Sequence, residues 1–97
     1  MKKDKAFENL RKSFAADLAE KVKSLQLAAG GQDSKGDGLD WETIARISHQ
    51  IRGTAKSFGF SEISAAADEL EQSVPKRSAE RIASLVRRLS DLSKLAL

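Results

Sequence analysis

The 97-residue chain has no cysteine and no tyrosine, and only one proline, one tryptophan, one methionine and one histidine. Without cysteine there is neither a disulfide framework nor a thiolate metal site. With a single histidine, a zinc site would have to rest mainly on carboxylates, against that metal's preference for nitrogen and sulfur. One proline and few β-branched runs, set among abundant Ala, Leu, Glu, Lys and Arg, favour an all-α chain. No apolar run approaches the ~18 residues that span a bilayer. The opening Met1-Lys2-Lys3-Asp4-Lys5 leads into an amphipathic pattern rather than a signal-peptide core. The expectation is one cytoplasmic domain over residues 1–97, long enough for a single core and too short for two.

The formal net charge is +3, and its placement decides what it means. Residues 1–28 hold seven Lys/Arg against four Asp/Glu, and residues 76–97 hold six against two. Residues 61–75 hold four acids and no cation. Cations interspersed with acids describe solvated helix faces, not a stripe built to follow a phosphate backbone, so no nucleic-acid partner is expected.

Four amphipathic segments are present. Over about residues 3–28, Phe7, Leu10, Phe14, Leu18, Val22 and Leu25 share one helical face. The polar, glycine-rich stretch 29–38 reads as a flexible connection. It has neither the Gly-Lys-Ser/Thr ending of a phosphate loop nor the regularly spaced acids of a calcium loop. Asp40 suits the N-cap of a second helix, with Leu39 and Ile44 at hydrophobic-staple positions. That helix buries Ile44, Ile47, Ile51, Ala55 and Phe58 and ends at Gly59. Ser61 is placed to cap a third helix, which buries Ile63, Ala66, Ala67, Leu70 and Val74 and stops at Pro75. Ser78 is placed to cap a fourth, with Ile82, Leu85, Val86, Leu89, Leu92 and Leu95 or Ala96 facing inward. Short connections between such helices predict an antiparallel up-and-down four-helix bundle, a fold that closes its own core as a monomer.

His49 breaks this pattern. At about 100° per residue it projects roughly 160° from the middle of the second helix's apolar stripe. Its neighbours on the wheel are Ala45, Arg46, Arg52, Gly53 and Lys56, all small or cationic. A neutral imidazole is a good nucleophile towards phosphorus. Arg52 and Lys56, on the same side, would favour the dianionic group once attached. Gly53 costs a helix interior roughly 1 kcal/mol relative to alanine, and leaving His49 uncrowded is a reason to accept that cost. Each feature alone is commonplace on a protein surface; the combination points to a phosphoryl acceptor.

The stretch 46–71 resembles the histidine-containing phosphotransfer (HPt) domain. His49, Ile51, Arg52, Gly53, Thr54, Phe58, Gly59, Ile63, Leu70 and Glu71 match its motif without a gap, and Arg46 is also usual there. The departures are Arg52, where lysine is commoner, and Phe60, where a small residue is usual. The first keeps the charge with a different geometry; the second bears on helix packing.

The resemblance implies a four-helix-bundle carrier that relays phosphoryl groups between histidine or hybrid kinases and aspartate-bearing receiver domains. Such a carrier binds no nucleotide, has no kinase activity and needs no cofactor of its own, the Mg²⁺ residing on the receiver. It also implies His49 as the phosphoacceptor, reacting through Nε2. Arg52, Gly53 and Lys56 would neighbour the phosphate. Trp41, Ala45, Arg46 and Gln50 would form the docking surface, with Trp41 readable equally as a cover over the bundle's end.

Three alternatives compete. A histidine-kinase dimerisation domain usually has an acid directly after its histidine and a proline soon after, where this chain has Gln50 and Gly53-Thr54. A basic nucleic-acid-binding bundle conflicts with the charge placement. An adaptor or inhibitor that keeps this fold and binds a kinase or receiver without being phosphorylated conflicts only with the intact His49, Arg52 and Gly53.

Overall fold

The computed structural model describes residues 2–29 and 39–96, with side chains over 8–29 and 39–95. The loop expected at 29–38 therefore lies almost wholly outside the described residues. Among the described residues there are four helices: α1 (Lys2–Ala28), α2 (Trp41–Ser57), α3 (Ser61–Ser73) and α4 (Ala79–Ala96). Each packs on its two neighbours around the ring α1–α2–α3–α4, with no close backbone approach between the diagonal pairs among the described residues. With short α2–α3 and α3–α4 connections this is an up-and-down four-helix bundle.

The start of α2 follows the capping rules. Asp40 accepts the Thr43 N–H at 3.2 Å and the Thr43 hydroxyl at 2.7 Å. The side-chain bond from Thr43, aided by the backbone one, holds the Asp40 carboxyl below the ordinary aspartate range. The Asp40 N–H donates to Ala28 O at 2.8 Å, tying the end of α1 directly to the start of α2. Leu39 packs on the core and Ile44 is fully buried, as the staple positions require.

At the other end of α2, Gly59 takes φ +81°. Its N–H donates to Lys56 O at 3.2 Å, and the Phe60 N–H donates to Ala55 O at 2.9 Å. These are the two bonds of a Schellman turn, whose C′ residue adopts the left-handed conformation that glycine tolerates best. The turn delivers the chain straight into α3, so the N-cap is Phe60 and not Ser61 as the sequence suggested. Phe60 makes no side-chain cap. It is placed instead by stacking on Phe14, with ring centroids 5.2 Å apart, and by the Arg11 guanidinium 4.9 Å over its ring. Aromatic packing has overridden capping preference, and the large residue at this position is part of the core's edge. Ser78 does cap α4, accepting the Arg81 N–H at 3.3 Å.

The core holds Phe14, Leu18, Val22 and Leu25 of α1, and Ile44, Ile47, Ile51 and Ala55 of α2. Ile63, Ala66, Ala67, Leu70 and Val74 join from α3 and the turn after it, and Ile82, Leu85, Val86 and Leu89 from α4. Phe58 and Leu92 are half-buried against it. Two expected core residues are not in it: Leu10 is 55% exposed and Leu95 is 82% exposed. The side chains of Phe7 and Ala96 lie outside the described residues. The correction is one of length. At about 1.5 Å per residue, the 27 residues of α1 outrun the 17 of α2, and residues 8–13 are all exposed. Among the described residues, no helix is long and apolar enough to cross a membrane.

Candidate functional site

Helix α2 turns its apolar stripe into the bundle and carries His49 on the outside. The preceding residue, Ser48, is fully buried, its hydroxyl donating to Ile44 O at 2.7 Å. That inward serine fixes the rotation of the helix, and the side chain of His49 is 61% exposed. Helix α3 runs beside it in antiparallel register, so Glu71 lies opposite His49 and Asp68 opposite Arg52. The Ser64 hydroxyl pins the pair by donating to Arg52 O at 3.0 Å.

The imidazole is gripped on one side only. Nδ1 lies 3.0 Å from Glu71 Oε2 and 3.0 Å from Arg52 Nη2. Arg52 Nε lies 3.2 Å from Glu71 Oε1 and 4.0 Å from Asp68 Oδ1. This Nε is shut off from solvent without an aligned acceptor, so its contact with Glu71 is ionic attraction rather than a directed hydrogen bond.

Two tautomers compete for this geometry. A proton on Nδ1 donates to the carboxylate; a bare Nδ1 would accept from Arg52 while turning its lone pair on Glu71. Both bonds are charge-assisted, and each tautomer leaves one contact unmatched: Nδ1–H faces the Arg52 Nη2 donor and a bare Nδ1 faces Glu71 Oε2, each at 3.0 Å. The tautomer with its proton on Nδ1 leaves the Nε2 lone pair free.

The remaining residues singled out in the sequence are spread along this face. Gly53 is exposed, and a Cβ built on it would meet nothing within 4 Å. The glycine therefore serves no close helix contact; it leaves an open surface beside the ring. Lys56 is exposed and stands two helical turns from His49, about 10 Å along the axis. It shares with Arg52 the wall of a separate groove instead of flanking the ring. Arg46 and Gln50 are exposed and Ala45 is half-buried. Trp41 is partly buried against the core with the Arg77 guanidinium 4.9 Å over its ring.

Sequence reasoning passed over the function of Glu71, which entered only as a matched motif position. Twenty-two residues separate it from His49, and no periodicity within one helix joins them. The available signal was the run of acids in 61–75 following a helix with cations around its histidine. Among the described residues no cluster of three or more His, Cys, Asp or Glu side chains is assembled that could hold a metal.

A family model described as the Hpt domain matches residues 9–95, nearly the whole chain. The chain belongs to the Hpt domain family. No curated protein and no solved structure matches it. Hpt domains serve phosphotransfer in two-component signalling, generally as phosphocarriers without kinase activity of their own, and they interact with kinases and receiver domains. The match covers all four helices, extending well beyond the stretch 46–71 that carried the resemblance.

Proposed function

We propose that this Hpt domain is a phosphocarrier whose acceptor is Nε2 of His49, exchanging phosphoryl groups with aspartate-bearing receiver domains and histidine or hybrid kinases. The observation that carries the reading is the pairing of an exposed imidazole with a carboxylate at its Nδ1 side alone.

The Nε2 lone pair attacks the phosphorus of a receiver's aspartyl phosphate in line. The P–N bond forms, the P–O bond to the aspartyl carboxylate breaks, and the carboxylate leaves with the electron pair. The ring then holds phosphorus on Nε2 and the original proton on Nδ1, so it has gained a positive charge. Glu71 faces that charge as it develops, which is stabilisation specific to the transition state and product. Arg52 holds Glu71 in place and presents a cation towards the incoming phosphoryl oxygens. In the return step a second aspartate attacks phosphorus, the electron pair of the P–N bond goes back to Nε2, and neutral imidazole is the leaving group. No proton has to move in either direction. The receiver supplies Mg²⁺ and its acidic pocket; this chain supplies nucleophile, tautomer and access.

The test is incubation with a phosphorylated receiver. An acid-labile, alkali-stable phosphoprotein forms with the wild-type chain and not with His49→Gln. If both bind the receiver and neither takes up label, the chain is an adaptor instead.

A further inference from the structure

A groove of about 340 Å³ runs between α2 and α3, from Arg52 and Asp68 to the turn at Gly59. It begins one helical turn from His49 and opens on the same face. Its sides and floor are small or hydroxylated: Gly59, Ser61, Ser64 and Ala65. Its two cations differ. Arg52 is committed to Glu71 and Asp68, whereas the exposed Lys56 ammonium has no carboxylate within ion-pair reach among the described residues. Next to the phosphoryl site there is therefore a depression with an unneutralised cation at its rim.

We infer that this groove receives a carboxylate side chain of the receiver domain that exchanges phosphoryl groups with His49, with Lys56 as its counter-ion. Charge complementarity selects the occupant. An apolar segment would bury the Lys56 stem but leave its ammonium unmatched. A basic one would be repelled by Lys56, while the groove's own carboxylate, Asp68, already faces Arg52. A receiver must in any case bring an acidic, metal-binding surface over His49, and a further carboxylate about two turns away along α2 would set its rotation about the Nε2–phosphorus axis. Two other depressions of similar size, one between α1 and α4 at Gln26, Ala83, Arg87 and Lys94 and one at the start of α2 at Trp41, Glu42, Ala45 and Arg77, share no residue with His49, Arg52 or Glu71.

The inference rests on the phosphocarrier reading, and the experiment separates the two. His49 is first labelled with phosphoramidate, a small donor that needs no docking. Transfer to the receiver that wild type serves best is then followed as a function of receiver concentration. Lys56→Glu reverses the rim charge, and Ala65→Leu fills the groove from an exposed helical position without loss of helix propensity. Lys94→Glu is the charge-matched control on the other face.

The expected result is unchanged phosphoramidate labelling in all three, with KM raised about tenfold in Lys56→Glu and Ala65→Leu and near wild type in Lys94→Glu. In addition, one receiver Asp→Lys or Glu→Lys substitution restores KM with Lys56→Glu. Unchanged KM in both groove variants, or an increase as large in Lys94→Glu, overturns the groove assignment and leaves the phosphocarrier reading standing. Failure of wild type to be labelled by phosphoramidate or by any receiver overturns both.

Discussion

Glu71 Oε2 and His49 Nδ1 meet at 3.0 Å across the α2–α3 interface while the imidazole keeps most of its exposure. In the proposed mechanism a carboxylate so placed favours the Nδ1–H tautomer and opposes the charge that the ring would gain on phosphorylation. Removing either function slows transfer without touching the nucleophile. Glu71→Ala is expected to lower the single-turnover rate from a phosphorylated receiver by ~10–100-fold, the usual scale for groups that orient a reactive histidine through its second nitrogen. Glu71→Gln keeps an acceptor for Nδ1–H and loses only the charge, so it falls between. Nitrogen-15 spectra of the ring distinguish this from a general structural defect. Wild type shows the Nδ1–H form, and Glu71→Ala shifts towards Nε2–H. Equal rates and equal spectra would remove Glu71 from the mechanism.

Arg52 pairs with that same carboxylate and, in the proposed mechanism, presents its cation to the phosphoryl group. Its side chain is 40% exposed, so Arg52→Ala costs stability by no more than about 1 kcal/mol, and circular dichroism should report an intact bundle. Transfer should slow about tenfold, the scale of one charged contact at 1.4 kcal/mol. Arg52→Lys preserves charge but cannot face Glu71 through one nitrogen and His49 through another on one planar group, and should recover only part of the rate. A collapse of helicity in Arg52→Ala would mean that the residue is structural.

The bundle was legible because its stripes are unbroken: fourteen residues separate Ile44 from Phe58, and all five apolar members of that run reach or border the core. Leu10 shows where periodicity stops informing. Its face continues that of Phe14, yet nothing in the amphipathic pattern states that the other helices end sooner. Ser61 shows a second limit, since a serine at a cap spacing cannot reveal that a Schellman turn and a Phe14–Phe60 stack have moved the boundary by one residue. In the site, His49, Arg52 and Gly53 were readable from one helical turn. Glu71 and Asp68 were not, because their proximity is created by the antiparallel pairing of α2 with α3.

The Asp40 cap gives a pH signature separate from the site. Its folded-state carboxyl titrates below the ordinary range because Thr43 donates to the charged form. The stabilisation is therefore fully present above the unfolded-state value of ~3.9 and disappears as pH falls through the lower folded-state value. Asp40→Ala should melt at a lower temperature than wild type near pH 7, and the gap should close near pH 2. Asp40→Asn, an uncharged cap, should show little of that pH dependence. A gap independent of pH would assign the stabilisation to something other than the ionised carboxylate.

Gly53 separates stability from access more sharply than any other position. It lies inside α2, where glycine is worth roughly 1 kcal/mol less than alanine, and a Cβ there meets nothing within 4 Å. Gly53→Ala should therefore raise the unfolding free energy by about 0.5–1 kcal/mol. Within this chain a methyl group obstructs nothing, so any loss of transfer in Gly53→Ala measures how closely the receiver's surface approaches the helix backbone beside His49. Gly53→Glu extends the obstruction and adds a negative charge one turn from the acceptor, and transfer should fall by at least a hundredfold while helicity persists. Phosphoramidate labelling, which needs far less room than a docked domain, should be reduced much less in both variants. If Gly53→Glu exchanged phosphoryl groups with a receiver at the wild-type rate, the open surface beside the ring would have no role in partner approach, and the glycine would be an uncompensated weakness of the helix.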